Sequence, residues 1–123
     1  MKILIDTHIF LWAIADPARI SADKRKRLEQ LTNTVYVSSI TIAEIMIKSS
    51  IQKLKIEYDP LDAAKQSGFQ FLNFRAEDAL LLLNLPFHHK DPFDRMLIVQ
   101  AIANDCYLMT DDSKFRAYEC RLL

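Results

Sequence analysis

Short runs of apolar and β-branched residues alternate with longer helical patterns along the whole chain. The pattern predicts four strands, at 2–5, 35–39, 69–74 and 106–110. It predicts six helices, at 7–15, 22–31, 40–54, 60–67, 76–85 and 92–105. Strands that alternate with helices form βαβ units, whose parallel sheet is covered by helices on both faces. The sequence therefore predicts an α/β fold of three layers, α/β/α, with a small central parallel sheet.

The length of 123 residues predicts one domain, spanning 1–123, around a single hydrophobic core. No apolar stretch is long enough to span a bilayer, and the N-terminus MKILIDTH lacks the features of a signal peptide. We therefore expect a cytoplasmic protein without a membrane partner. The two cysteines, Cys106 and Cys120, fit this compartment as reduced structural residues.

Glycine content and net charge exclude several function classes. Gly68 is the only glycine, which excludes a P-loop and a GxGxxG motif because both need several glycines around phosphate. The formal net charge is zero, which argues against steering of a polyanion by the overall field. The four consecutive basic residues at 24–27 spread around a helix and are interpreted as a solvated face. Any nucleic-acid contact would therefore depend on a local basic patch or on metal ions.

Acidic residues collect at the ends of the predicted strands. Asp6 follows the first strand directly, and Asp111 and Asp112 follow the fourth. Glu44 lies in the first turns of the helix after the second strand, and Asp94 lies in the first turn of the helix before the fourth. Ligands of open parallel sheets bind beyond the carboxyl ends of the strands. We therefore expect these acids to converge although they are far apart in sequence.

Each acid also has a local explanation as a helix cap. The stretch 91–94 reads as an N-cap, a proline at the first helical position and an acid in the first turn. The stretch 59–62 has the same pattern. Thr41 and Glu44 match a capping box, and Asp6 and Asp112 each precede a short helical segment. Local sequence therefore leaves capping and chemistry as alternatives for every acid.

The acids taken together favour a metal site. Two carboxylates about 5 Å apart repel each other by roughly 3 kcal/mol at an effective dielectric of about 20. Several such pairs would cost much of the ~5–15 kcal/mol stability of a domain unless a divalent cation neutralised them. Oxygen ligands favour Mg²⁺, with Mn²⁺ as a substitute. His88 and His89 precede Asp91 in a polar loop and could bind metal, but a solvated loop is the expectation.

Four stretches of the chain resemble, in order, the PIN-domain ribonucleases and among them the VapC-like toxins of toxin–antitoxin pairs. These stretches are LIDTHIFLWAI, VSSITIAEIMIK, LPFHHKDPFDRMLIVQA and LMTDDSKF, and they extend almost from end to end. The resemblance implies that the catalytic and metal-binding acids are Asp6, Glu44, Asp94 and Asp112, and it leaves Asp91 as a cap. The segment 51–54, IQKL, departs from the related VapC-like sequences, which usually have Gly-Lys-Leu at this place. This difference concerns the local turn after the helix.

The resemblance implies a Mg²⁺-dependent endoribonuclease with an RNA substrate, a homodimer and a cognate antitoxin that fills a hydrophobic groove. Thr7 and Thr110 could orient carboxylates or merely form turns. Arg95 could pair with phosphate, with a ligand carboxylate, or in an exposed ion pair. Lys48 could pair with Glu44 one helical turn away. Two rival functions are a receiver-like phosphoacceptor domain, although 73–75 lacks its acceptor aspartate, and a catalytically silent PIN-fold binding module.

Overall fold

The computed structural model describes residues 1–123 and contains one parallel sheet with the strand order β3-β2-β1-β4. The strands are β1 (Lys2–Ile5), β2 (Thr34–Ser38), β3 (Gln70–Leu72) and β4 (Tyr107–Met109). The two strands beside β1 are both parallel to it, with Leu4 opposite Tyr36 on one side and Leu108 on the other. Leu122 adds a parallel bridge to Leu108 at the outer edge.

Helices pack on both faces of this sheet. They are α1 (Thr7–Ala15), α2 (Ala22–Glu29), α3 (Ser39–Ser50), α4 (Pro60–Gln66), α5 (Ala76–Leu80) and α6 (Pro92–Ala103). Short 3₁₀ helices occupy Pro17–Arg19, Leu81–Asn84 and Ser113–Ala117. None of the helices combines the length and the apolar composition that crossing a bilayer requires.

The three layers follow from the alternation of side chains along β1. Ile3 and Ile5 belong to one buried cluster, closed by side chains of α1, α3 and α4. Leu4 belongs to a second cluster, closed by side chains of α6 and the C-terminal 3₁₀ helix. Successive side chains of a strand point to opposite faces of a sheet, so β1 supplies both cores. The predicted three-layer α/β/α fold is confirmed.

Several predicted helices end earlier than expected. The predicted helix at 76–85 is α5 followed by a 3₁₀ helix, and the predicted helix at 40–54 ends at Ser50. Gln52 terminates α3 with a left-handed φ of 60°. The amides of Gln52 and Lys53 bond the carbonyls of Ser49 and Lys48 at 3.1 and 2.9 Å, which is a Schellman cap. Gln52 thus forms, at some conformational cost, the turn for which the related branch uses glycine.

Candidate functional site

The carboxyl ends of β1 and β4 bring Asp6 and Asp112 to the same edge of the sheet. The Asp6 amide donates to the Met109 carbonyl at 3.1 Å, which joins the two strand ends. Thr110 lies near both acids: its hydroxyl accepts from the Asp112 amide at 3.0 Å, and it lowers the pKa of the Asp6 carboxyl. The adjacency of β1 and β4 therefore connects two acids that lie more than a hundred positions apart.

Asp6 caps a helix and is also buried at the strand end. Its Oδ1 accepts from the Ile9 amide at 2.8 Å, and the residue is 3% exposed. Burial raises the pKa of the Asp6 carboxyl because the charged form loses solvation, while bonds from the Thr110 hydroxyl and the Ile9 amide act in the opposite direction. Asp6 therefore caps α1 and is also buried at the carboxyl edge of the sheet.

The Glu44 carboxylate is held by two side chains, one from α1 and one from its own helix α3. Thr7 Oγ1 donates to Glu44 Oε1 at 2.7 Å, and Lys48 Nζ lies 2.5 Å from Glu44 Oε2. Thr41 Oγ1 lies 3.2 Å from the Thr7 hydroxyl and serves as its donor. The capping-box interpretation of Thr41 and Glu44 is wrong, because Ser38 caps α3 and both residues lie inside the helix. The i,i+4 pair of Glu44 and Lys48 is present.

Asp94, Asp112 and His89 form the tightest group of possible metal ligands. His89 Nε2 lies 2.8 Å from Asp94 Oδ2 and 3.8 Å from Asp112 Oδ2. One ligand atom from each residue lies within 4.8 Å of the others. The pKa of Asp94 is raised to about 6, chiefly by burial and further by the charges of Asp91 and Glu44. The hydrogen bond from His89 acts in the opposite direction. Carboxyls with strongly raised pKa values are common at functional sites, where burial and neighbouring charges combine.

The loop before α6 differs from its sequence-based prediction. His88 is exposed, as a solvated loop requires, but His89 is 7% exposed. The His89 ring packs edge-on against Phe115 with 5.8 Å between ring centroids. The expectation of a solvated loop is therefore wrong for His89. No local signal marked this residue, since the aromatic side chains that bury it come from the C-terminal segment.

The two Asp-Pro stretches confirm the capping pattern and also show its limit. Asp91 accepts from the amides of Phe93 and Asp94 at 2.8 and 3.2 Å. Asp59 makes the equivalent bonds at the start of α4. Asp62 is nevertheless exposed and makes no ion pair, whereas Asp94 meets a buried histidine. Identical local patterns thus have different tertiary surroundings.

Arg95 is buried against the loop before α6, so the pairings with a carboxylate that the sequence suggested are absent. It is 8% exposed and forms no ion pair with a carboxylate. Its guanidinium donates to four oxygens: the carbonyls of Leu85 (3.2 Å), Pro86 (2.9 Å) and His89 (3.4 Å), and Tyr118 Oη (3.3 Å). Arg95 therefore fixes the loop that carries His89.

Lys24 places a positive charge at the edge of the site. Its ammonium donates to the Thr110 carbonyl at 2.8 Å and pairs with Asp111. The interpretation of residues 24–27 as a solvated face is therefore wrong for this lysine, because α2 packs near the end of β4. Lys24 and Lys48 are the two cations beside the acid cluster.

The residues present fit a divalent cation. The cluster offers carboxylate oxygens from Asp94 and Asp112, with an imidazole at one edge. Asp6 lies at the same edge of the sheet, where its amide donates to the Met109 carbonyl. Carboxylate oxygens suit Mg²⁺ and Mn²⁺. Burial raises the pKa of the Asp6 and Asp94 carboxyls, because each ionised group loses solvation that a bound cation would offset.

Comparisons with known proteins agree with this architecture. The family model of the PIN domain matches residues 3–119. Comparison with curated protein sequences finds no significant match.

Three solved structures share this fold. A chain of VapBC2 from Rickettsia felis bound to a promoter DNA fragment superposes with a TM-score of 0.76 and 21% sequence identity, and the match covers 100% of this chain and 98% of that chain.

A chain of DNA-bound VapBC from Salmonella typhimurium gives a TM-score of 0.75 at 17% identity, covering 100% of this chain and 97% of that chain. A chain of FitAcB from Neisseria gonorrhoeae gives a TM-score of 0.60 at 20% sequence identity, and the match covers 98% of this chain and 96% of that chain. These similarities confirm the PIN-like fold that the sequence resemblance implied. Because the family model spans nearly the whole chain, this protein belongs to the PIN-domain family.

Proposed function

We propose that this protein is a Mg²⁺-dependent endoribonuclease that hydrolyses RNA phosphodiester bonds, with Mn²⁺ as a possible substitute, and that it is the toxin of a toxin–antitoxin pair. One observation carries the proposal: Asp94, Asp112 and His89 converge within 4.8 Å in a PIN domain. Asp6 lies buried at the same edge of the sheet, at the end of β1. A group of partly buried carboxylates at the carboxyl edge of a parallel sheet is suited to holding a hard cation.

The proposed ligands are Asp6, Asp94 and Asp112, with Glu44 completing the catalytic set. When bound, a divalent cation lowers the pKa of a water molecule and stabilises charge on the phosphodiester oxygens. Thr7 holds one oxygen of Glu44, and Thr110 fixes the Asp112 backbone near Asp6, so we assign both threonines to positioning the acids.

Lys48 and Lys24 supply positive charge for the RNA backbone. Lys48 is about one-third exposed and lies beside Glu44, near Asp94. Lys24 lies at the end of β4 against Asp111. A protein with zero net charge has no general attraction for a polyanion, so local cations at the acid site are the groups available to engage phosphate.

The structural neighbours support the biological role. Their structures are of VapBC2, VapBC and FitAcB, and the first two are bound to DNA. We propose by analogy that this chain binds a cognate antitoxin, forms a homodimer and works in the cytoplasm. Co-expression with the adjacent reading frame tests the first point, with relief of toxicity as the expected result. Light scattering at micromolar concentration tests the dimer, and a clean monomer would contradict it.

The decisive experiment is an RNA cleavage assay with and without Mg²⁺. We expect the parent protein to cut only with metal, and D6N and D94N to lose at least about 100-fold in rate because each removes a ligand charge. D62N is a matched control, since Asp62 has the same place in the other Asp-Pro stretch and is exposed. Variants that cut as fast as the parent would refute the site. A parent that binds metal but never cuts RNA would favour the silent binding module.

A further inference from the structure

His89 is the one buried imidazole at the acid cluster, and it has no role in the function proposed so far. We propose that His89 is a positioning residue that orients the Asp94 carboxylate for the cation, and that Tyr118 in the C-terminal segment holds His89 in place. This inference rests on the proposed function. It concerns which residues outside the four acids determine metal affinity.

The imidazole lies between two carboxylates from separate elements. Nε2 is 2.8 Å from Asp94 Oδ2 on α6 and 3.8 Å from Asp112 Oδ2 after β4. A hydrogen bond to an ionised Asp94 requires the proton on Nε2, and that nitrogen then has no lone pair for a metal ion. The second carboxylate oxygen of Asp94 stays available. The geometry therefore favours a hydrogen bond that aims a ligand over direct coordination.

The backbone of His89 is anchored on both sides. Its amide donates to Tyr118 Oη at 2.7 Å, and the His88 amide donates to the same oxygen at 3.0 Å. Its carbonyl accepts from Arg95 Nη1 at 3.4 Å. Tyr118 is itself 7% exposed and packs in the second hydrophobic cluster. The rigid core thus determines where the imidazole lies.

Partners that hydrogen-bond metal ligands influence affinity strongly, with losses of about 10–100-fold when they are removed. We therefore expect H89A to weaken Mn²⁺ binding, measured by calorimetry on the full chain, by about 10–100-fold. H89Q should retain most of the affinity, because a glutamine amide can donate from a position close to that of Nε2. Y118F should weaken Mn²⁺ binding by a smaller factor, since it removes the anchor but leaves the imidazole.

H88A is the matched control: His88 is the neighbouring histidine, it is exposed, and its ring packs against Tyr118 rather than the acids. It should bind Mn²⁺ as the parent does. Thermal unfolding of each variant without metal separates loss of affinity from loss of folding, and the affinity recovered by H89Q is a readout that a purely structural role would not produce.

Electron spin-echo spectroscopy of bound Mn²⁺ separates positioning from coordination. We expect no nitrogen coupling of the strength of a direct Mn–N bond. Such a coupling in the parent, or equal Mn²⁺ affinities for H89A and the parent, would overturn the inference and leave the proposed function intact. A parent that binds no Mn²⁺ would overturn both.

Discussion

The hydroxyl of Thr7 donates to the Glu44 carboxylate at 2.7 Å, although the two residues are 37 positions apart. This bond joins the first turn of α1 to the middle of α3 across the end of the sheet. The Lys48 ammonium occupies the other carboxylate oxygen. Both oxygens of a buried glutamate are therefore engaged before any ligand binds, so the site is partly organised by the protein alone.

Removing the Thr7 hydroxyl tests this organisation. We expect T7V to lower the free energy of unfolding by about 1–3 kcal/mol, because a buried carboxylate oxygen loses its donor. Urea denaturation at neutral pH measures the change. T32V provides the control, as Thr32 is exposed and should alter stability by less than ~0.5 kcal/mol. Equal effects of the two substitutions would contradict a special role for Thr7.

Asp94 is predicted to destabilise the metal-free protein at neutral pH. Its folded pKa of about 6 exceeds the unfolded value of about 3.9. Between these values the folded state binds more protons than the unfolded state, so stability falls as the pH rises through this window. The loss persists above pH 6. We expect D94N without metal to be more stable than the parent at pH 7.5 by about 1–2 kcal/mol, after allowance for solvent screening.

The same comparison at pH 4 should show almost no gain, because Asp94 is then protonated in the folded parent. Denaturant unfolding at both pH values measures the difference. D62N is the control, since Asp62 has the same local pattern without burial. A D94N variant less stable than the parent at pH 7.5 would show that the Asp94 charge is well compensated in the absence of metal.

Added metal should stabilise the parent in a pH-dependent manner. A divalent cation binds the ionised carboxylate and raises the melting temperature by mass action. Protonation of Asp94 competes with the cation below pH 6. We therefore expect millimolar Mg²⁺ or Mn²⁺ to produce a larger rise in melting temperature at pH 7.5 than at pH 5, measured by calorimetry. A rise independent of pH would mean that the cation binds elsewhere.

Lys48 should compete with the cation. Its pKa is raised, first by the hydrogen bond to Glu44 and further by the charges of Glu44, Asp91 and Asp94, so the ammonium stays charged at neutral pH. We expect K48M to tighten Mn²⁺ binding several-fold, because one positive charge near the cluster is removed.

Calorimetric titration of Mn²⁺ checks this prediction. K65M makes the same charge change at an exposed lysine that forms no ion pair and should leave the affinity unchanged. Weaker binding by K48M would indicate that Lys48 holds Glu44 in position for the cation rather than opposing the cation.

Local sequence was sufficient for the features that depend on near neighbours. The strand predicted at 2–5, in a sheet covered on both faces, is confirmed: Ile3 and Ile5 lie in one buried cluster and Leu4 in the other. Asp91 caps α6 as its pattern predicts. Thr41 and Glu44 show the limit of such patterns, since a matching motif lies inside a helix that begins at Ser39.

Tertiary structure decided which acids share a site and what surrounds them. Asp94 and Asp62 follow the same local Asp-Pro pattern, but only Asp94 faces a buried histidine. That histidine, His89, is packed by Phe115 and Tyr118 of the C-terminal segment. Capping depends on hydrogen bonds within one helical turn, which the sequence displays directly. Desolvation and charge repulsion depend on distances between residues remote in sequence, and these exist only once the sheet has brought the strand ends together.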